Sequence, residues 1–231
     1  TSSPFYIVDT IMNVIHYSVN DHRGETEGPK RTMPRVSAER LQDRRNSIVE
    51  AARSVFAAKG FDGTAISDIA KAAGTSDGLI YRYFNGKREL LEAVLDDFYG
   101  ELLEDAQDAI DAAPGFAAKL RTLVEHHVAV FARDAGLCRL FITEVRNFET
   151  YVGSDSQALN RRYTALLAPI LRTGIAEGAI APDIDQRFVR DMLFGGIEHI
   201  AWRHIGAGTA IDVADTSGKV TALLLGGIGA L

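Results

Sequence analysis

From Ala38 onward, apolar and polar positions recur with the period of an α-helix. Ile48, Ala51, Ala52, Val55 and Phe56 stand three and four residues apart, which places them on one stripe. Gly60 follows Lys59 as a stop signal, and Phe61 carries the apolar contact past it. Thr64 reads as the cap of a short helix over "AISDIAKAA", which Gly74 ends; Ser76 reads as the cap of the next, "DGLIYRYF". Gly86 precedes a long run, "KRELLEAVLDDFYGELLEDAQDAID", with Glu89 in its first turn, where the helix dipole favours an acid. Pro114 and Gly115 interrupt the pattern. Amphipathic runs then follow: "AAKLRTLVEHHVAVFARD", "LCRLFITEVRNF", "SQALNRRYTALLAPILRTGIAEG", "QRFVRDMLFGGIEHIAWRHI" and "GKVTALLLGGIGAL". No stretch alternates as a half-buried strand would, and no segment repeats. The expected fold class is all-α.

The three short helices between Ala38 and Phe84 have a particular layout. The second and third are separated only by "GTS", with glycine where the turn needs freedom, which is a helix-turn-helix. Ile66, Ile69, Ala70, Leu79 and Ile80 are available to hold this pair on the first helix. Ser76, Asp77, Gly78, Tyr81, Arg82 and Tyr83 are left for an outer surface. In such a motif the second helix enters the major groove of DNA, and the first crosses the backbone. The expected organisation is an extension or linker at 1–32, a DNA-binding domain at 33–88, and a larger helical domain at 89–231.

Charge supports that division. The net charge of −6 argues weakly against a nucleic-acid protein, but the average hides a split. Residues 33–91 hold ten Lys and Arg against seven Asp and Glu, and residues 92–231 hold 12 against 20. A module of net +3 is thus joined to one of net −8, and only the first suits a polyanion. Cys138, the single cysteine, lies in an apolar run and reads as a core residue. Residues 1–32 combine an apolar segment with a polar stretch, "NDHRGETEGPKRT", and read as a dispensable extension, since Met33 would itself make a reasonable start. No apolar run reaches the roughly 18 residues that span a bilayer, and no basic start of a signal peptide is seen. The expected location is the cytoplasm.

The stretch "IVEAARSVFAAKGFDGTAISDIAKAAGTSDGLIYRYFNGKRELLEAVL" resembles the DNA-binding domain of the TetR-type (tetracycline-repressor-like) transcriptional regulators. Its marks are "AARSVFAAKGFDGTAISDIAKAAG", then Ser-x-Gly-x-Ile-Tyr-x-Tyr-Phe, then "GKRELL". The resemblance covers about fifty residues, and the ordered combination is specific. It implies phosphate contacts at Thr64, Tyr83 and Lys87, the last at a helix start whose amides suit an anion. It implies reading of base edges or thymine methyls by Asp77, Gly78, Tyr81 and Arg82, with Ser76 at the cap. Asp77 departs from the family pattern, in which a basic or neutral residue is common; it could accept from a cytosine amine or bias register by repelling phosphate.

The resemblance also implies a homodimer on a (pseudo)palindromic operator, because one recognition helix supplies too few contacts. The last two runs are the dimer candidates. Val189, Met192, Leu193, Ile197, Ile200 and Ala201 share one face of the first, and Val220, Leu223, Leu224, Ile228 and Leu231 lie in the second. Each carries a Gly-Gly pair that permits close approach, Gly195–Gly196 and Gly226–Gly227. Polar residues within the apolar stripes are candidates for an inducer pocket: His126, with its neighbour His127, Glu144, Arg146, Glu198 and His199, with Trp202 nearby. "RLFITEVRNF" and "DIDQRFVRDMLFGGIEHIAW" are similar to the fatty-acid-degradation repressors of that family, which respond to long-chain acyl-CoA. This implies a hydrophobic tunnel, with Arg139, Arg146 or Arg161 near the CoA phosphates. The alternative is a regulator of efflux or detoxification induced by a small hydrophobic or cationic compound, which would favour acidic over basic pocket residues. No nucleophile–base pair, phosphate loop or metal-ligand spacing is present, so neither an enzyme nor a metal or other cofactor is expected.

Overall fold

The computed structural model describes residues 38–228. The expected extension at 1–32 lies outside the described residues, as does Leu231. Helix α1 (Ala38–Lys59) ends at Gly60, whose φ of +74° is the left-handed conformation that terminates helices. Helices α2 (Ile66–Ala72) and α3 (Asp77–Ile80) follow, with Gly74 at φ +59° in the turn between them. The expected cap at Ser76 is made: its hydroxyl accepts the Leu79 amide at 3.3 Å. The expected cap at Thr64 is not. Ala65 occupies that position and Asp68 accepts its amide, while the Thr64 hydroxyl turns back to donate to the Gly60 carbonyl at 2.6 Å.

Helix α4 (Lys87–Ala112) is continuous across the expected domain boundary at 88/89. Its N-terminus is closed by Glu89, whose carboxylate accepts the Asn85 amide at 2.7 Å, a favourable place for negative charge. Pro114 and Gly115 (φ +65°) turn the chain into α5 (Gly115–Arg133). Then come α6 (Ala135–Thr143), a 3-10 turn (Val145–Asn147), α7 (Asp155–Thr164), α8 (Leu167–Ala176), α9 (Gln186–Ala207) and α10 (Val213–Ile228). Helix α9 starts at Asp185, which accepts the amides of Arg187 and Phe188, and stops at Gly208 in the left-handed conformation. No β-strand occurs among the described residues, so the fold is all-α.

Packing follows the stripes. Ile48, Ala52 and Phe56 of α1 are buried in a core shared with Ile69, Ile80, Phe84, Leu90 and Val94. Helix α1 rests on α2, α4 and α6. Arg53 reinforces this, bonded to Glu101 of α4 at 3.0 Å and to Asp134 before α6 at 3.1 Å. Helix α5 is central to the larger part and meets α4, α6, α8, α9 and α10. Its Leu120, Leu123, Val124 and Val128 are almost completely buried.

Candidate nucleic-acid interface and ligand cavity

Helix α3 is a single turn fixed by two anchors, Ile80 and Phe84, both removed from solvent. The alternation of its neighbours then follows from helical geometry. Ser76, Asp77, Gly78, Tyr81 and Arg82 are exposed, with Tyr81 57% accessible. Tyr83 is half-buried and packs against the core. The space where Gly78 would carry a side chain is open, so its backbone is free to approach a large partner.

Thr64 and Lys87 are placed differently. Thr64 is buried at 3% exposure and its hydroxyl is engaged with Gly60. The Lys87 ammonium donates to the carbonyls of Phe61 and Thr64 and lies 4.4 Å from the centre of the Phe61 ring. Both side chains therefore brace the loop between α1 and α2 from inside. For either to meet a phosphate, these internal bonds must be exchanged.

The same loop is gripped from the other side. Glu144, at the C-terminus of α6, accepts the Phe61 amide at 2.7 Å. The Phe61 ring meets Phe56 at 6.0 Å and Phe148 edge-on at 5.4 Å, and the Arg88 guanidinium lies 4.2 Å from the centre of the Phe148 ring. Residues 144–148 thus form a clamp on the α1–α2 loop, built from one charged hydrogen bond and one aromatic contact.

Behind that clamp lies a cavity of about 440 Å³ between α4, α5, α6, α7 and α9, within the usual size of small-molecule sites. Phe98, Phe131, Phe141 and Phe194 supply much of its apolar wall. Arg146 and Glu198 also line it and form a bidentate pair, with N–O distances of 2.8 and 2.7 Å. Tyr99 donates to the Asn160 side chain at 3.3 Å. Arg161 and Arg190 complete the basic part of the lining, and Arg190 is bonded to Asp191 at 2.7 Å. Cys138 is buried, its thiol pushed up to about 12 chiefly by burial, so it remains protonated.

Of the sequence-predicted pocket residues, Arg146 and Glu198 come together in the wall. His126, Glu144 and Trp202 are absent from it. Glu144 faces the DNA-binding part instead, and Trp202 is 40% exposed on α9. His126 misses the cavity by helical phase: one step along α5, His127 is aligned with Val124, Val130 and Phe131 and enters the lining. Burial holds His127 down at about 3, with the Arg146 charge adding to the effect, so the imidazole is neutral. Tyr99, Asn160 and Tyr163 were missed. For Tyr163 the signal was present, because it sits four residues from both Leu159 and Leu167, on a buried stripe where a hydroxyl needs a partner.

A second groove runs along α9 and α10. Met192, Phe188 and Leu223 are 55%, 63% and 76% exposed beside buried Val189, Leu193 and Ile197. Among the described residues, a side chain built at Gly195, Gly196, Gly226 or Gly227 would meet nothing within 4 Å, so the glycine pairs serve no close contact there. Among the described residues no helix is long and apolar enough to cross a membrane.

An exposed recognition turn, a clamp on the loop behind it and a cavity in one helical chain are the parts of a helix-turn-helix DNA-binding regulator. The chain belongs to the tetR family of bacterial regulatory proteins: that model matches residues 48–94, and the model for the C-terminal region of YsiA-like proteins matches residues 95–227. It is a transcriptional regulator and not an enzyme. It is 29% identical over 181 residues to the fatty acid metabolism regulator protein of Bacillus subtilis (strain 168), covering 78% of this chain and 93% of the relative. It is 26% identical over 197 residues to the HTH-type transcriptional repressor KstR2 of Mycolicibacterium smegmatis, covering 80% and 90%. The transcriptional regulator FadR from Bacillus subtilis, solved in complex with stearoyl-CoA, superposes with a TM-score of 0.72 at 29% identity, over 79% of this chain and 98% of that one. The fatty acid degradation regulator FadR from Bacillus halodurans gives 0.73 at 29% identity, over 80% and 95%.

Proposed function

We propose that the protein is a homodimeric repressor of fatty-acid metabolism genes, released from its operator by a long-chain acyl-CoA. The observation that carries this reading is the cavity: aromatic walls suited to an acyl chain, with arginines in the same lining. Arg146 and Arg190 are neutralised by Glu198 and Asp191, while Arg161 has no carboxylate partner among the described residues. The lining is therefore basic on balance, which favours an anionic ligand over the cationic inducer of an efflux regulator. The likeness to a regulator crystallised with stearoyl-CoA supports the same reading.

In this reading Tyr81, Arg82, Asp77 and Gly78 read bases, with Ser76 capping their turn. Tyr83 lies along the phosphates, and Thr64 and Lys87 join it by exchanging their bonds to Gly60, Phe61 and Thr64 for phosphate oxygens. The exposed apolar face of α9 and α10 is the dimer surface, and a second copy brings the two recognition turns to paired half-sites. The path from ligand to DNA is short. Arg146 lines the cavity and Glu144, two residues before it, holds the Phe61 amide. A ligand that draws on Arg146 shifts the turn that clamps the DNA-binding part, and does so only as far as it binds the two arrangements unequally.

The test is fluorescence anisotropy of the protein on labelled DNA from its own upstream region. Release by micromolar palmitoyl-CoA, but not by free CoA, is expected. Tight DNA binding that ignores acyl-CoA while responding to an organic cation would overturn the ligand assignment.

A further inference from the structure

The cavity wall holds two polar groups that the protein leaves without partners. The Tyr163 hydroxyl and the Nδ1 of His127 are shielded from solvent, and neither has a hydrogen-bond partner among the described residues. Tyr163 is 2% exposed. The two rings are neighbours, with centroids 5.5 Å apart, and Phe194 lies against both, at 4.8 Å from His127 and 5.8 Å from Tyr163. All three line the same cavity. Buried polar side chains almost always find a partner, so two orphans side by side in a cavity wall call for one from outside the chain.

We propose that Tyr163 and His127 form a polar subsite for an uncharged oxygen, a hydroxyl or carbonyl, carried on the apolar part of the ligand beyond its attachment to the headgroup. This rests on the acyl-CoA reading and narrows it to oxygenated acyl chains. The chemistry of the pair fits an uncharged group. Burial raises the tyrosine pKa above its ordinary value, so the phenol keeps its proton and donates. The imidazole is neutral and offers Nδ1 as donor or acceptor according to its tautomer. Against a carboxylate, the pair offers only a neutral phenol and a neutral imidazole, and the Arg146 whose charge His127 feels is already paired with Glu198. A plain acyl chain would leave both groups unpaired within hydrocarbon, and a site built in this way discriminates against the ligand that lacks the matching atom.

The experiment compares palmitoyl-CoA with its 3-oxo, 3-hydroxy and ω-hydroxy analogues by calorimetry, on the wild-type protein and on Tyr163→Phe and His127→Leu. At least one oxygenated analogue is expected to bind about tenfold or more tighter than palmitoyl-CoA, the range set by satisfying a buried polar group. Tyr163→Phe is expected to erase that gap, weakening the oxygenated analogue more than palmitoyl-CoA. Ligand-free Tyr163→Phe is also expected to melt no lower than wild type, since no hydrogen bond is lost, whereas a hydroxyl with a structural role would lower the midpoint. Equal affinity across the series, or a loss in Tyr163→Phe uniform over all four compounds, overturns the subsite and leaves the acyl-CoA reading standing. Failure of all four to bind overturns both.

Discussion

Replacing Glu144 tests whether the cavity and the DNA-binding part communicate through one hydrogen bond. Its carboxylate accepts the Phe61 amide at 2.7 Å, and Gly60 packs so closely that an added Cβ would stand 2.6 Å from Oε1. Glu144→Ala removes a charged acceptor and leaves a part-buried amide unmatched. Hydrogen bonds to charged groups contribute about 1.5–3 kcal/mol. Because the carboxylate is half-buried, the lower end applies, about 1.5–2 kcal/mol. For a chain of this size each kcal/mol moves Tm by roughly 2–4 °C, so the midpoint should fall by roughly 3–8 °C. Glu144→Gln keeps a neutral acceptor and should lose less than half as much. The second readout is the ratio of operator Kd with and without saturating palmitoyl-CoA. A coupling free energy typically amounts to about 1–3 kcal/mol, and Glu144→Ala should shrink the ratio several-fold while the ligand Kd measured without DNA changes little. Equal midpoints for the Ala, Gln and wild-type proteins would refute the hydrogen-bond argument. A destabilised Ala variant with an unchanged ratio would refute the coupling.

Three further outcomes follow from the geometry. His127 is held neutral at about 3 against an ordinary value of 6.5, so the unfolded chain binds the extra proton first; stability should be full above pH 6.5 and fall towards pH 3, by roughly 2 kcal/mol at pH 5. In urea titrations wild type should lose stability more steeply than His127→Leu as the pH falls from 6.5 towards 3, and parallel slopes would contradict it. Gly136→Ala would set a Cβ 2.6 Å from the Ala57 carbonyl oxygen, so the usual helix gain of alanine is reversed, and a loss of about 1–3 kcal/mol is expected by thermal unfolding. Met192→Glu with Leu223→Glu places charges on the exposed face of α9 and α10; sedimentation should report monomers with unchanged helicity and weakened operator binding, and an intact dimer would place the interface elsewhere.

The sequence by itself determined most of the elements and several of their ends, though "DGLIYRYF" is helical only over Asp77–Ile80 and the run from Ser156 divides into α7 and α8. The stripe through Ile48, Ala52 and Phe56, the Ser76 cap, the stops at Gly60 and Gly74 and the break at Pro114–Gly115 are local features, and local backbone preference decides them. The exposed recognition residues were legible for the same reason, since anchoring Ile80 and Phe84 fixes the phase of Tyr81 and Arg82. Only the tertiary structure decided which polar groups face each other. Thr64, a cap by pattern, bonds backwards to Gly60, because the helix starts one residue later with Ala65 at the cap position. Glu144 and Arg146 looked alike in the sequence, yet they part to opposite partners, Phe61 and Glu198, because the chain leaves α6 through a 3-10 turn. The cavity could not be read from any one helix: it exists where five helices fail to meet, and its volume depends on distances between residues far apart in the chain.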